Sequence, residues 1–98
     1  MQGIYFPGDS VIQIRDIDRV DAGSGEVVLA MKASGICGSD LASLRMKAAE
    51  KGNPADLKVA GHEPCGVVSE VGPDVDGLDL GDRVMMHHYT GCNQCNMC

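Results

Sequence analysis

Two groups of residues in this 98-residue chain have the types and spacing to do chemistry. The first is Cys92, Cys95 and Cys98, each separated from the next by two residues. Successive C-x-x-C steps let a loop wrap its backbone around one tetrahedral metal ion, and a structural zinc site is closed by four ligands. The spacing therefore reads as three ligands of a structural zinc rather than as loop thiols or a disulfide. A sequence ending at Cys98, before a fourth ligand, is expected to be a piece of a longer chain. The second group is dispersed: Cys37 and Ser39 in Gly35-Ile36-Cys37-Gly38-Ser39-Asp40, and His62 and Glu63 in Gly61-His62-Glu63. Thiolate, imidazole and carboxylate are the ligands zinc takes, and a catalytic site uses three and keeps one position open. Alone, each residue has a plainer reading. A single cysteine after a strand is usually a small buried hydrophobe, and a histidine beside a glutamate is usually a hydrogen-bonded pair. Both segments lie in glycine-flanked bends, where the backbone can turn a side chain into a cleft.

The elements around these residues are short. Residues 11–15 read as a half-buried strand with Ile12 and Ile14 on the inner face. Residues 21–25 form a turn, and 26–33 a β-prone run in which Val27, Leu29, Met31 and Ala33 share a face. Residues 40–51 carry the only helical pattern, ended by Gly52 and Pro54. Residues 66–72 and 83–86 read as further strands, each with a glycine-containing turn beside it. Thirteen glycines punctuate these strands, which favours a barrel or sandwich over a layered α/β fold. There is no internal repeat, linker or low-complexity segment.

Composition narrows the function classes. A chain of this length is about one domain. It is 44% hydrophobic but has no Trp, two Tyr and one Phe, so its core must come from aliphatic residues and Met, and the six Met read as core. Fourteen acidic against eight basic residues leave a net charge of -6 with no basic stripe. That argues against nucleic acid, which needs clustered Lys and Arg, and against an anionic membrane surface. The N-terminus lacks a basic stretch followed by an apolar one, and no segment approaches a membrane span. The cytoplasm is the expected compartment, where paired cysteines favour metal over disulfides.

The run Gly61-His62-Glu63-Pro64-Cys65-Gly66, with Gly72 and Val75, resembles the zinc-type alcohol dehydrogenase signature of the medium-chain dehydrogenase/reductase superfamily. Upstream, residues 35–40 resemble the segment that supplies that family's first zinc ligand, and Gly81-Asp82-Arg83-Val84 is similar to its strand-entry motif. The resemblance covers residues 1–98 in the family's order. It implies a mainly β (α+β) fold: a GroES-like, partly open β-barrel with one or two short helices. Residues 1–98 would be the N-terminal portion of this zinc-binding catalytic domain, with the Rossmann cofactor domain absent from the chain. It implies Cys37 and His62 as ligands of a catalytic zinc, and Glu63 as either a direct ligand or a close carboxylate behind the ligands. Ser39 would pass on the substrate proton, and Asp40 would orient the zinc-bound histidine. Cys92, Cys95 and Cys98 would hold a structural zinc. The implied activity is NAD- or NADP-linked interconversion of a small alcohol or polyol and its carbonyl form, in a full-length homo-oligomer. The isolated 98-residue chain is expected to be inactive.

The sequence departs from that pattern at two positions. Several alcohol-oxidising members finish the proton relay with a histidine where this chain has Ala42. Some also carry a basic residue where Gly38 stands, so Gly38 is more like the polyol and threonine dehydrogenase branches. The alternative reading is a non-catalytic zinc-binding structural or interaction module on the same barrel. It accounts for the cysteine knuckle but leaves Cys37, Ser39, His62 and Glu63 without a role. Cys65 reads as a buried packing residue, and His87 and His88 as surface or core histidines, one of which can face a substrate cleft. Gly23-Ser24-Gly25 precedes a strand rather than following one, so it is not a dinucleotide loop.

Overall fold

In a computed structural model of the chain, residues 1–92, 95 and 96 are described. Among them are five strands and one α-helix. Strands β1 (Gln2–Gly8) and β2 (Val11–Asp16) form an antiparallel hairpin. Strands β3 (Val27–Ser34), β4 (Pro64–Val71) and β5 (Arg83–Met85) form a second antiparallel sheet in that order. Helix α1 (Gly38–Arg45) and two 3₁₀ turns, Ala48–Glu50 and Pro54–Asp56, fill the crossover from β3 to β4. The result is the mainly β, partly open barrel that the sequence leads one to expect.

Strand β1 has no counterpart in the sequence reading, because Pro7 and flanking glycines hide its alternation. The proline is tolerated where the register shifts between Tyr5 and Gly8. Asp9 and Ser10 then turn the chain with φ of 52° and 61°. Two left-handed central residues match the right-handed twist of a two-residue hairpin.

The helix is shorter than the pattern over 40–51 predicts, and the hairpin turn supplies the reason. The Asp9 amide donates to the Met46 carbonyl at 2.8 Å, and the Ser10 amide to the Leu44 carbonyl at 2.9 Å. Carbonyls at the helix end thus find partners outside it, and the chain leaves the helix at Met46 with ψ of 143°. This docking also ties the first sheet to the helix that carries Ser39 and Asp40.

The core is small. Among the described residues, Tyr5 and Val68 are the buried hydrophobic side chains, and Asp40 is the buried charged one. Several expectations of burial are corrected here. Ile12 and Ile14 are both exposed, at 59% and 66%, because no described element covers that face of the hairpin. Met1, Met31, Met46, Met85 and Met86 are exposed as well. Cys65 is exposed rather than packed inside, since its side chain lies on the open face of β4. In β3 the shared face of Val27, Leu29, Met31 and Ala33 is broken by register shifts at Val28/Leu29 and Met31/Ala33.

Candidate metal centre

The two halves of the dispersed group meet where β3 ends and β4 begins. The Gly35 amide donates to the Glu63 carbonyl at 2.9 Å, extending the β3–β4 ladder to the brink of both segments. Gly61, at φ of 97°, makes the bend before His62. Gly35 has no room for a side chain, because a Cβ there would strike the Glu63 side chain. From this point Cys37 takes the N-cap position of α1.

Cysteine here does what Ser or Asp usually does at a helix start. Asp40, at N3, accepts the Cys37 amide on Oδ2 at 2.9 Å, and the Cys37 side chain faces the Asp40 backbone amide in return, the reciprocal pattern of a capping box. The second oxygen, Oδ1, lies 3.2 Å from His62 Nδ1. Both oxygens of this buried carboxylate are therefore committed. With Nδ1 on Asp40, the other ring nitrogen faces the sulfur: His62 Nε2 is 3.1 Å from Cys37 Sγ and 3.3 Å from Ser39 Oγ, and Ser39 Oγ is 2.9 Å from Cys37 Sγ.

This packing shifts two titrations. The Ser39 hydroxyl, and then the amides of Asp40 and Ser39, hold the Cys37 thiol below its ordinary 9.0, against a smaller desolvation effect. A helix N-terminus favours thiolate in the same sense. Desolvation draws His62 downward, but the attraction of Cys37 and Asp40, with a smaller pull from Glu63, leaves it above 6.5.

The donor set suits zinc. Ligand atoms of Cys37, Asp40 and His62 lie within 4.8 Å of one another. Thiolate sulfur and imidazole nitrogen on one tetrahedral zinc stand about 3.5 Å apart, so the 3.1 Å observed between Sγ and Nε2 needs only a small opening. A ligating histidine with its other nitrogen on a carboxylate is the usual supporting arrangement. Glu63 is exposed and lies against Gly35, outside the group of close ligand atoms.

His62 stands between two cavities. One, of about 590 Å³, is lined by His62, Glu63, Cys65, Met85, His87 and His88 among others. There His88 sits edge-on to His62 with ring centroids 5.3 Å apart, and the Tyr89 ring lies tilted against His88 at 4.1 Å. His87 and His88 are both exposed. The other cavity, of about 370 Å³, is lined by Ser39, Asp40, Ser43, His62, Lys51 and Lys58 among others. The two lysines escape sequence reading, since one ends a helical pattern and the other sits in a loop. Only the fold returns them to Ser39.

At the knuckle, Cys92 and Cys95 are exposed with sulfurs 3.5 Å apart. The third expected ligand, Cys98, lies outside the described residues. Among the described residues, no helix is long and apolar enough to cross a membrane.

Known proteins share this architecture. Residues 23–98 match the family model of the alcohol dehydrogenase GroES-like domain. The chain is 36% identical over 103 residues to the zinc-type alcohol dehydrogenase-like protein YphC of Escherichia coli (strain K12), covering 100% of this chain and 29% of that protein. It is 35% identical over 94 residues to a sorbitol dehydrogenase of Arabidopsis thaliana, covering 96% of this chain and 26% of that one. The chain thus spans between a quarter and a third of these relatives. Among solved structures, the short chain alcohol dehydrogenase rspB of E. coli CFT073, complexed with NADH, superimposes with a TM-score of 0.80 at 30% identity, over 100% of this chain and 27% of that one. Benzyl alcohol dehydrogenase of Acinetobacter calcoaceticus gives 0.69 at 27% identity, over 99% of this chain and 26% of that one. Matched by the family model over residues 23–98 and superimposed along its whole length, the chain belongs to the alcohol dehydrogenase GroES-like domain family.

Proposed function

We propose that this chain is the N-terminal part of the catalytic domain of a zinc-dependent, NAD(P)-linked dehydrogenase acting on a small alcohol or polyol. The observation that carries the reading is the Cys37–Ser39–Asp40–His62 cluster, in which a thiol, a hydroxyl and an imidazole meet within 3.3 Å over a committed carboxylate. Cys37 and His62 would hold the zinc, and Glu63 would be a nearby carboxylate acting on His62 through its charge. Zinc, when bound, supplies Lewis-acid polarisation of the substrate oxygen. Asp40 keeps His62 in one tautomer by holding Nδ1. Ser39 Oγ, exposed and beside both ligand atoms, receives the substrate hydroxyl proton. With Ala42 offering no acceptor, the proton on Ser39 would have to pass to water or to a group brought with the cofactor. A nicotinamide cofactor, held by a domain outside residues 1–98, would supply the hydride acceptor for the carbon-bound hydrogen. Cys92, Cys95 and Cys98 would form the structural zinc lobe.

The relatives support this reading through their names: zinc-type alcohol dehydrogenase-like protein, sorbitol dehydrogenase, L-threonine 3-dehydrogenase. Metal analysis tests it. The purified intact protein should contain two zinc ions per chain, one of them lost in Cys37→Ala and His62→Ala together with NAD(P)-linked alcohol oxidation. A single zinc, retained in both variants, would instead favour the structural module. Residues 1–98 alone should show no NAD-linked turnover.

A further inference from the structure

The cavity of about 370 Å³ beside Ser39 and His62 has an electrostatic character at odds with the rest of the chain. Its lining includes Lys51 and Lys58. Lys51 is half-buried, and its Nζ donates to Ser43 Oγ at 2.5 Å. Among the described residues, no carboxylate lies within ion-pair distance of either lysine. Asp40, the acidic residue in this lining, has one oxygen on the Cys37 amide and the other on the His62 ring. A chain of net charge -6 has thus placed two ammonium groups, a half-buried Lys51 and an exposed Lys58, beside its candidate metal centre with no carboxylate paired to either among the described residues. A part-buried ammonium without a counterion is costly, and the cost is relieved by an anion brought with a ligand. The volume suits a small molecule.

We propose that this cavity is an anion subsite for the substrate: Lys51 as inner anchor and Lys58 at the rim hold a carboxylate or phosphate group on a hydroxylated small molecule whose reacting hydroxyl lies at Ser39. This deepens the dehydrogenase reading and rests on it for the hydroxyl end, while the anion end rests on the two lysines. The substrate class is then a sugar acid, hydroxy acid or sugar phosphate rather than a neutral alcohol.

The test uses the intact, zinc-loaded protein made from its own gene. Inorganic phosphate and acetate are titrated calorimetrically into wild type, Lys51→Gln, Lys58→Gln and the double variant. Cys37→Ala protein serves to exclude binding at the metal itself. Saturable binding of one of these anions, weakened roughly tenfold by Lys51→Gln and restored by Lys51→Arg, is expected for one charge-assisted contact. Wild-type titrations flat for both anions, or binding equally strong in the double variant, would overturn the proposal. In parallel, kcat/KM is compared for a pentitol, the matching sugar acid and the matching sugar phosphate. The ratio of the preferred anionic member to the neutral one should fall about tenfold in Lys51→Gln, and the member that responds identifies carboxylate or phosphate. A ratio that does not move overturns the assignment. The anion titrations decide the subsite independently of turnover, and the dehydrogenase reading stands or falls on the zinc analysis of the Cys37→Ala and His62→Ala variants.

Discussion

At the scale of single residues, the candidate site is a capping box in which the capping atom is also a metal donor. The same amides that start α1 stabilise the Cys37 thiolate, so helix formation and ligand ionisation are one event. In zinc-free protein, alkylation of Cys37 by iodoacetamide, followed by peptide mapping, should show a pH midpoint below 9.0. Ser39→Ala should raise that midpoint, because the Ser39 hydroxyl is the largest stabilising contact. A second expectation concerns Asp40. Asp40→Asn keeps the shape but removes the charge beside His62 Nδ1, so the histidine titrates at lower pH and zinc affinity falls about 10–100-fold. Ring-proton NMR and metal competition measure the two effects. Cys37 and His62 stood out in the sequence because zinc restricts residue type, and Ser39 and Asp40 through the family resemblance; the fold brings these four together and leaves Glu63 outside the close group. Lys51 and Lys58 were not legible in the sequence, because a lysine in a loop has no signature until the fold shows what it faces.

At the scale of elements, β4 is the spine: it pairs with β3 on one side and β5 on the other, and its first residues follow directly on His62 and Glu63. Gly66 lies where β3 comes closest. A Cβ there would stand 2.7 Å from the Ala30 carbonyl oxygen and 3.3 Å from the Met31 Cα. Replacing a mid-strand glycine by alanine normally gains stability. Here the sign reverses, and Gly66→Ala should cost about 1–3 kcal/mol in urea unfolding. The far end of β4 holds a loop by charge. Glu70 accepts the Ala22 amide at 2.8 Å and pairs with Arg19 at 3.0 Å, which lowers its pKa from 4.5, the amide contributing most. A depressed carboxylate stabilises the fold above its unfolded pKa and loses that contribution as pH falls through the folded one. Stability should therefore drop on acidification below 4.5 in wild type, and by less in Glu70→Gln, as followed by Tm against pH. The strands at residues 11–15, 66–72 and 83–86 were readable from alternation and turn residues. The end of α1 was not, because amides from a hairpin distant in sequence draw off its last carbonyls.

At the scale of the whole molecule, apolar surface outweighs core. Ile14, Ile36, Leu80 and Met85 are 66%, 80%, 68% and 84% exposed, while Tyr5 and Val68 are the buried apolar side chains among the described residues. Alternation in a sequence tells which side of a strand is apolar, but not whether anything lies against it, so burial of Ile12 and Ile14 could not be read in advance. Exposed apolar area on this scale drives association. The 98-residue chain produced alone should bind a hydrophobic dye and sediment with a concentration-dependent coefficient. A sharp, dye-free monomer would contradict that expectation.

The β3–β4 ladder has one more effect. It brings together Cys37 and His62, 25 residues apart, before any ion arrives. Closing a loop of that length costs about 3 kcal/mol of chain entropy, on the order of a hundredfold in an equilibrium constant. The strands meet this cost in advance, so the pair behaves as a chelate whose bite is set by the sheet. Substitutions that loosen β3 from β4, such as Gly66→Ala, would then weaken ion retention without touching a donor atom.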